Sequence, residues 1–288
     1  MELIVQTNET TVKKGTKLFS RNERMEWDEQ DLYALDSIRD RGLLDENHVL
    51  KQDIDISRFK KADRDIGCIH IMANSGEIDS KWMYPVLKDK IHPTDEVCVL
   101  ALSFFDDTNN IEDWNKQFKK GVGIWYRANT DVFFRYGIKE SQVHWVNYFT
   151  DSREESLKKI QNSNILMIPG GAPDLFMKRI KSLKLKKVLK QYRGLMIGYS
   201  AGAMVQLDRY HITPDRDYPD FSYQSGFGSL SGFDIEVHYH ASNHQREYIQ
   251  KVIGEKKLDV YAIYEDGALW IENNQIHMFG KVDLYEKE

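Results

Sequence analysis

The chain has 288 residues, enough for one large core or two small ones. Its 40 basic and 45 acidic residues give a formal charge of −5, which argues against nucleic acid or an anionic membrane as the main partner. Two cysteines, Cys68 and Cys98, sit in apolar runs, which argues against a disulfide framework and a cysteine-based metal site.

Residues 1–65 are polar and charged, as in Lys13-Lys14 and Arg21-Asn-Glu-Arg24. The chain starts with no basic n-region and no apolar signal core, so a reduced, cytoplasmic protein is expected. A short strand is expected near Leu3–Gln6. An amphipathic segment is expected over Asp28–Arg39, where Leu32, Leu35 and Ile38 recur at helical spacing. This stretch reads as a packed peripheral extension without chemistry, with an oligomerisation element or a partly mobile extension as the alternatives. The rhythm changes near Asp65, and 66–288 reads as the catalytic domain.

Gly67–Met72, Glu96–Leu102, Val143–Tyr148, Asn164–Ile168 and Gly194–Gly198 are short apolar runs expected as strands. The longest apolar stretch, Val97–Phe105, is far short of the about 20 residues that span a membrane. Helices are expected near 80–90, 111–136, 153–161 and 173–192, the last breaking at Ser182-Leu183. Strands alternating with helices predict an α/β fold: a mostly parallel sheet with helices on both faces, as in flavodoxin-like proteins. Tyr261–Tyr264, Ala268–Glu272 and Gln275–Gly280 read as short strands with Asn273-Asn274 as a turn, a C-terminal antiparallel hairpin beside the sheet.

Gly198-Tyr-Ser200-Ala-Gly202 matches the Gly-x-Ser-x-Gly nucleophile elbow. A serine on a tight strand-to-helix turn exposes its hydroxyl, and its neighbours must be tiny. An apolar strand precedes the motif and a helix-like stretch follows it. The backbone N–H of Ala201 is a natural oxyanion donor there. Pro169-Gly170-Gly171 ends the preceding strand and can present a second N–H.

A serine nucleophile needs a base and an acid that orients it. Val237-His238-Tyr239-His240 followed by His244 supplies histidines. They could also suggest a metal site, but no partner motif such as His-Glu-x-x-His accompanies them, so no metal is expected. Asp208, Asp215, Asp217, Asp220, Asp234 and Glu236 all lie between the serine and His238, and the residues alone leave the acid open.

Pro169-Gly170-Gly171, Gly198-Tyr-Ser-Ala-Gly-Ala203, Glu236-Val-His238-Tyr239 and Ala262-Ile-Tyr-Glu-Asp-Gly-Ala-Leu-Trp-Ile271 together resemble peptidase family S51. That family holds the aspartyl dipeptidases (peptidase E) and the cyanophycinases, and its fold is similar to the class I glutamine amidotransferase domain. The resemblance spans about residues 66–280, and it implies Ser200 as nucleophile, His238 as base and Asp215 as triad acid. Gly171 and Ala201, with Gly170 beside them, would form the oxyanion hole. Arg246 would read an acidic residue on the acyl side, with His240 shaping the same pocket. Many relatives carry an aspartate where this chain has His240, and the 65-residue extension is atypical. The expected activity is hydrolysis of short peptides through an acyl-enzyme, with no cofactor and no nucleic-acid or membrane partner, and with a homodimer left open. An esterase or amidase, and a non-catalytic binding or regulatory homologue, are the competing readings.

Overall fold

The structure is a computed structural model that describes residues 3–4, 11–17, 19–20, 42–47, 49–55 and 69–287. The expected Asp28–Arg39 segment and Cys68 lie outside the described residues. The chain divides into two compact units, Met1–Asp65 with Ile91–Asp95, and Ile66–Lys90 with Glu96–Glu288.

In the first unit, Leu3–Ile4 pairs antiparallel with Phe19–Ser20, and Thr11–Val12 with Ile54–Asp55. Val12, Leu44, Leu50 and Ile54 are buried. Asp53 ties its loops by accepting from the Lys14 N–H at 2.8 Å and the Lys13 ammonium at 3.0 Å.

The second unit is built on an eight-stranded sheet. Its strands are β1 (Ile69–Ala73), β2 (Val97–Val99), β3 (Val143–Trp145), β4 (Ile165–Ile168) and β5 (Leu195–Tyr199), all mutually parallel in the order β1-β5-β4-β2-β3. Successive residues of β1, β2 and β4 are buried without alternation. Neighbours on a strand point to opposite faces, so both faces of the sheet are covered. A separate two-stranded ribbon, β6 (Tyr210–Ile212) and β7 (Ser222–Gln224), encloses the turn-rich 213–221 loop, where the sequence signals only turns.

The remaining strands are β8 (Phe233–Glu236), β9 (Asp259–Glu272) and β10 (Gln275–Tyr285). The two runs expected at 261–264 and 268–272 are one 14-residue strand. Its Asp259–Ala262 half pairs parallel with β8, and its Ala268–Ile271 half pairs antiparallel with β1. Because β10 takes the opposite edge of β9 in both halves, β8 and β1 share one edge and meet end to end. The hairpin is therefore part of the sheet, and its long strand aims the C-terminal ends of β8 and β1 at each other. The sheet is mixed at this side and parallel elsewhere.

Local chemistry accounts for the helix bounds. Asn110 caps α2 (Ile111–Phe118), and Ser152 with Glu155 forms a capping box on α4 (Arg153–Gln161). The expected 111–136 helix breaks at Gly121–Gly123, and α3 (Ile124–Thr130) follows, continuing into a 3₁₀ turn to Tyr136. Pro173 opens α5 (Pro173–Ser182), and Lys184, at φ 53°, separates it from α6 (Lys186–Lys190). α1 (Tyr84–Leu87) is one turn. Among the described residues no helix is long and apolar enough to cross a membrane.

Candidate active site

β5 ends at Tyr199, and the chain turns within one residue into α7 (Ala201–Met204). Ser200 makes that turn at φ 52° and ψ −121°, a region that costs a non-glycine residue about 1–3 kcal/mol. Its N–H donates to the Ala73 carbonyl at 3.0 Å, and its carbonyl accepts from the N–H groups of Ala203 and Met204. Packing fixes the two flanking glycines. A β-carbon on Gly198 would lie 2.1 Å from the Gly202 carbonyl oxygen, and one on Gly202 would lie 1.8 Å from that of Ile168.

His238 follows β8, and its Nε2 lies 2.8 Å from Ser200 Oγ. The end-to-end meeting of β8 and β1 produces this approach. Asn74, the residue after β1, accepts the His238 N–H on Oδ1 at 2.5 Å. Its Nδ2 donates to Glu265 of β9 at 2.6 Å. His238 has φ 53°, so the loop needs support. Gln245, on α8 (Asn243–Lys256), supplies it. Its Nε2 donates to the His238 carbonyl and to Glu236, each at 3.0 Å, and its Oε1 accepts the His240 N–H at 3.1 Å.

Beneath this loop a buried ion cluster ties the ribbon to β8. The imidazole of His211 lies 2.9 Å from Asp234 and 2.8 Å from Glu236. Burial opposes its charge, but the Asp234 and Glu236 carboxylates and their hydrogen bonds outweigh it and push its pKa up to about 10. At neutral pH it is therefore an imidazolium, with both ring N–H groups donating. Thr213 adds a third donor to Glu236 at 2.8 Å.

The Gly170-Gly171 turn lies against the elbow, since a β-carbon on Gly170 would come 3.1 Å from the Ser200 Cβ. Gly171 has φ +126°, and a β-carbon there would meet the Ser103 carbonyl oxygen at 2.2 Å. The Ser103 hydroxyl reaches the Pro169 and Gly170 carbonyls and clamps the turn.

Two clefts open from Ser200, His238 and Gly171. One, of about 410 Å³, is lined by Ala201 and by polar groups including Thr213, Asp215, Tyr218, His240 and His244. The other, of about 500 Å³, has an aromatic wall with Phe104, Phe105, Phe118 and Trp125. Neither cleft has a lysine or arginine among its described lining residues.

The structure thus brings together Ser200, His238, Gly170, Gly171 and Ala201. Asp215 reaches the same cleft as His238, but its Oδ1 accepts from the N–H groups of Asp217 and Tyr218 in its own turn. Among the described residues no carboxylate is hydrogen-bonded to His238 Nδ1. Asp208 caps the N–H of Arg209, and neither it nor Asp217 lines the cleft. His240 lines it, with Nδ1 donating to the His238 carbonyl, and His244 donates to the Pro214 carbonyl. Arg246 does not match its expected place. The hydroxyl oxygens of Tyr239 and Tyr285 favour the charge of its guanidinium, and it lines neither cleft. The reason is helical direction: Gln245 faces the loop, so its neighbour Arg246 faces away. Among the described residues no group of three or more His, Cys, Asp or Glu could hold a metal ion.

Sequence reasoning missed Asn74, Gln245 and His211. Asn74 was findable as the first polar residue after a buried strand. Gln245 completes a Ser-x-x-Gln helix start with Ser242. Nothing local marks His211, whose partners lie more than twenty residues away.

Comparison with known proteins bears on the fold and the family. No curated protein matches the chain. Among solved structures, a Listeria monocytogenes EGD-e protein provisionally named a peptidase E superposes with a TM-score of 0.53 at 16% identity, covering 74% of this chain and 98% of its own. A peptidase from an acI-B1 actinobacterium gives 0.51 at 14% identity, covering 76% and 90%. At such identities the likeness concerns the fold, a mostly parallel sheet with helices and antiparallel C-terminal strands. The profile of Peptidase family S51 matches residues 124–279, more than half of the chain and the stretch that carries the elbow, the glycine turn and His238, and the chain belongs to that family.

Proposed function

We propose that this protein is a serine peptidase that cleaves short peptides through an acyl-enzyme. The observation that carries the reading is the 2.8 Å approach of His238 Nε2 to a serine hydroxyl held on a strained elbow. His238 takes the Ser200 proton as Oγ attacks the peptide carbonyl. The N–H groups of Gly171 and Ala201 receive the oxyanion. His238 then gives its proton to the leaving amine as the C–N bond breaks. Water, activated by the same imidazole, hydrolyses the ester and regenerates the serine. Asp215 is the acid we assign to His238, because it lines the polar cleft without being held by His211, Thr213 and Gln245 as Glu236 is, and its carboxylate would have to turn toward Nδ1 when substrate binds.

Two clefts of a few hundred Å³ suit one or two residues each, which supports dipeptides and other short peptides over folded proteins. An acidic residue on the acyl side would be met in the polar cleft by His240 and His244, since Arg246 faces elsewhere. The test is hydrolysis of an Asp-Xaa and Ala-Xaa dipeptide panel by wild-type and Ser200→Ala protein. Activity should fall by about 10⁴-fold or more in the variant. A fluorophosphonate should label Ser200 in the wild type alone, as read by peptide mass. Undiminished turnover in the variant would sink the reading.

A further inference from the structure

The aromatic cleft has no role in the chemistry above, yet it opens on the reacting serine. We infer that it is a subsite for a large apolar, preferentially aromatic, side chain next to the scissile bond. This deepens the peptidase reading and rests on it.

Three observations carry the inference. The first is the wall. Phe104 is buried and fixed from behind, with the Arg179 guanidinium 3.5 Å from its ring centroid and donating to the Leu102 and Phe104 carbonyls. Phe118 packs against Phe104, Trp114 and Trp145. Phe105 and Trp125, by contrast, are 41% and 47% exposed. Large apolar side chains exposed in a concave site beside a nucleophile are sites for covering, and an aromatic substrate ring would remove them from water.

The second is the anchoring of Trp125 to the elbow. The hydroxyl of Tyr199, the residue before Ser200, donates to Asn129 Oδ1 at 3.0 Å. Asn129 Nδ2 in turn donates to the Trp125 carbonyl at 3.0 Å. The helix that presents the indole is thus latched to the strand that presents the nucleophile, which fixes the distance between the subsite and the reacting atom.

The third is charge. The charged side chains on this cleft are Glu77, Asp107 and Glu265. They repel a substrate carboxylate and favour a cation such as a free α-ammonium. An acidic substrate side chain is therefore excluded from this cleft, whatever the polar cleft accepts.

The experiment has two arms. In the first, kcat/KM is measured for dipeptides carrying Phe, Leu, Ala or Asp on each side of the scissile bond in turn. Phe should exceed Ala by at least 10-fold on one side, and Asp should fall below Ala on that side. In Trp125→Ala and Phe105→Ala the Phe-to-Ala ratio should drop at least 5-fold. Hydrolysis with no apolar preference on either side would overturn the subsite while leaving the peptidase reading intact. In the second arm, Ser200→Ala protein is titrated calorimetrically with the Phe- and Ala-containing dipeptides. Tighter binding of the Phe peptide, lost when Trp125→Ala is added, supports the subsite even if the wild type hydrolyses nothing. Equal binding of both peptides, unaffected by that change, overturns it.

Discussion

At the scale of single residues, the elbow tolerates almost no added atoms. A methyl group on Gly202 would push against the Ile168 backbone rather than a movable side chain. Gly202→Ala should therefore cost about 3 kcal/mol or more, seen as a lower urea midpoint, and should lose activity beyond that loss of folded protein. Asn74 is the residue whose removal separates positioning from folding. Asn74→Ala leaves the His238 N–H and the Glu265 carboxylate without their partner. An unsatisfied group of this kind costs about 1–3 kcal/mol. The expected result is a kcat reduced by about 10- to 100-fold with KM nearly unchanged, because the proposed base is displaced while the polar cleft and the aromatic wall of the other cleft stay in place. A KM effect alone would refute the assignment.

At the scale of elements, the His211 cluster joins ribbon to sheet through charge. Its raised pKa sets the sign of a pH effect. A histidine near 6.5 when unfolded and near 10 when folded binds its proton more tightly in the native state. The resulting stability is fully present below about pH 6.5 and is lost as pH climbs through about 10. Urea midpoints at pH 7 and pH 10 should show this fall in the wild type and a flatter profile in His211→Gln. That variant should also be less stable at pH 7 by about 3–5 kcal/mol, because two buried carboxylates lose their counter-ion. The hairpin turn is simpler. Asn273 and Asn274 have φ values of 52° and 61°, so both central positions are left-handed. Asn274→Gly should raise the melting temperature slightly, because glycine takes the left-handed position without strain and Asn-Gly is the pair such turns favour. These two elements also mark what could be read from residues alone. The Asn-Asn turn, the elbow and the buried parallel strands announce themselves through local steric demands or apolar runs. The merging of two expected strands into β9 does not, because Glu265 and Asp266 interrupt the apolar pattern while the backbone runs on. The aromatic wall was equally invisible, since Phe104, Phe118 and Trp125 converge only through the tertiary fold. Arg246 sits about 100° of helix rotation from Gln245, the residue that faces the loop, and such a direction is set by the fold around the helix.

At the scale of the whole second unit, the proposed nucleophile and base follow strands that meet only because β9 spans both. Ser200 follows β5, β5 pairs with β1, and β1 and β8 share an edge of β9. Peptidase activity and the far-ultraviolet circular dichroism of the sheet should therefore vanish at one denaturant midpoint; separate midpoints would show that the site dissolves before the sheet does. The two clefts that share one serine have a further kinetic meaning. Amine and acyl fragments need not leave by the same door. On the proposed mechanism, the cleft that the amine has left would stand empty beside the ester, and water is only one of the visitors it could admit. A second peptide whose amino terminus fits that space would compete for the acyl group. The same architecture that hydrolyses would then, in concentrated peptide, join fragments into new sequences.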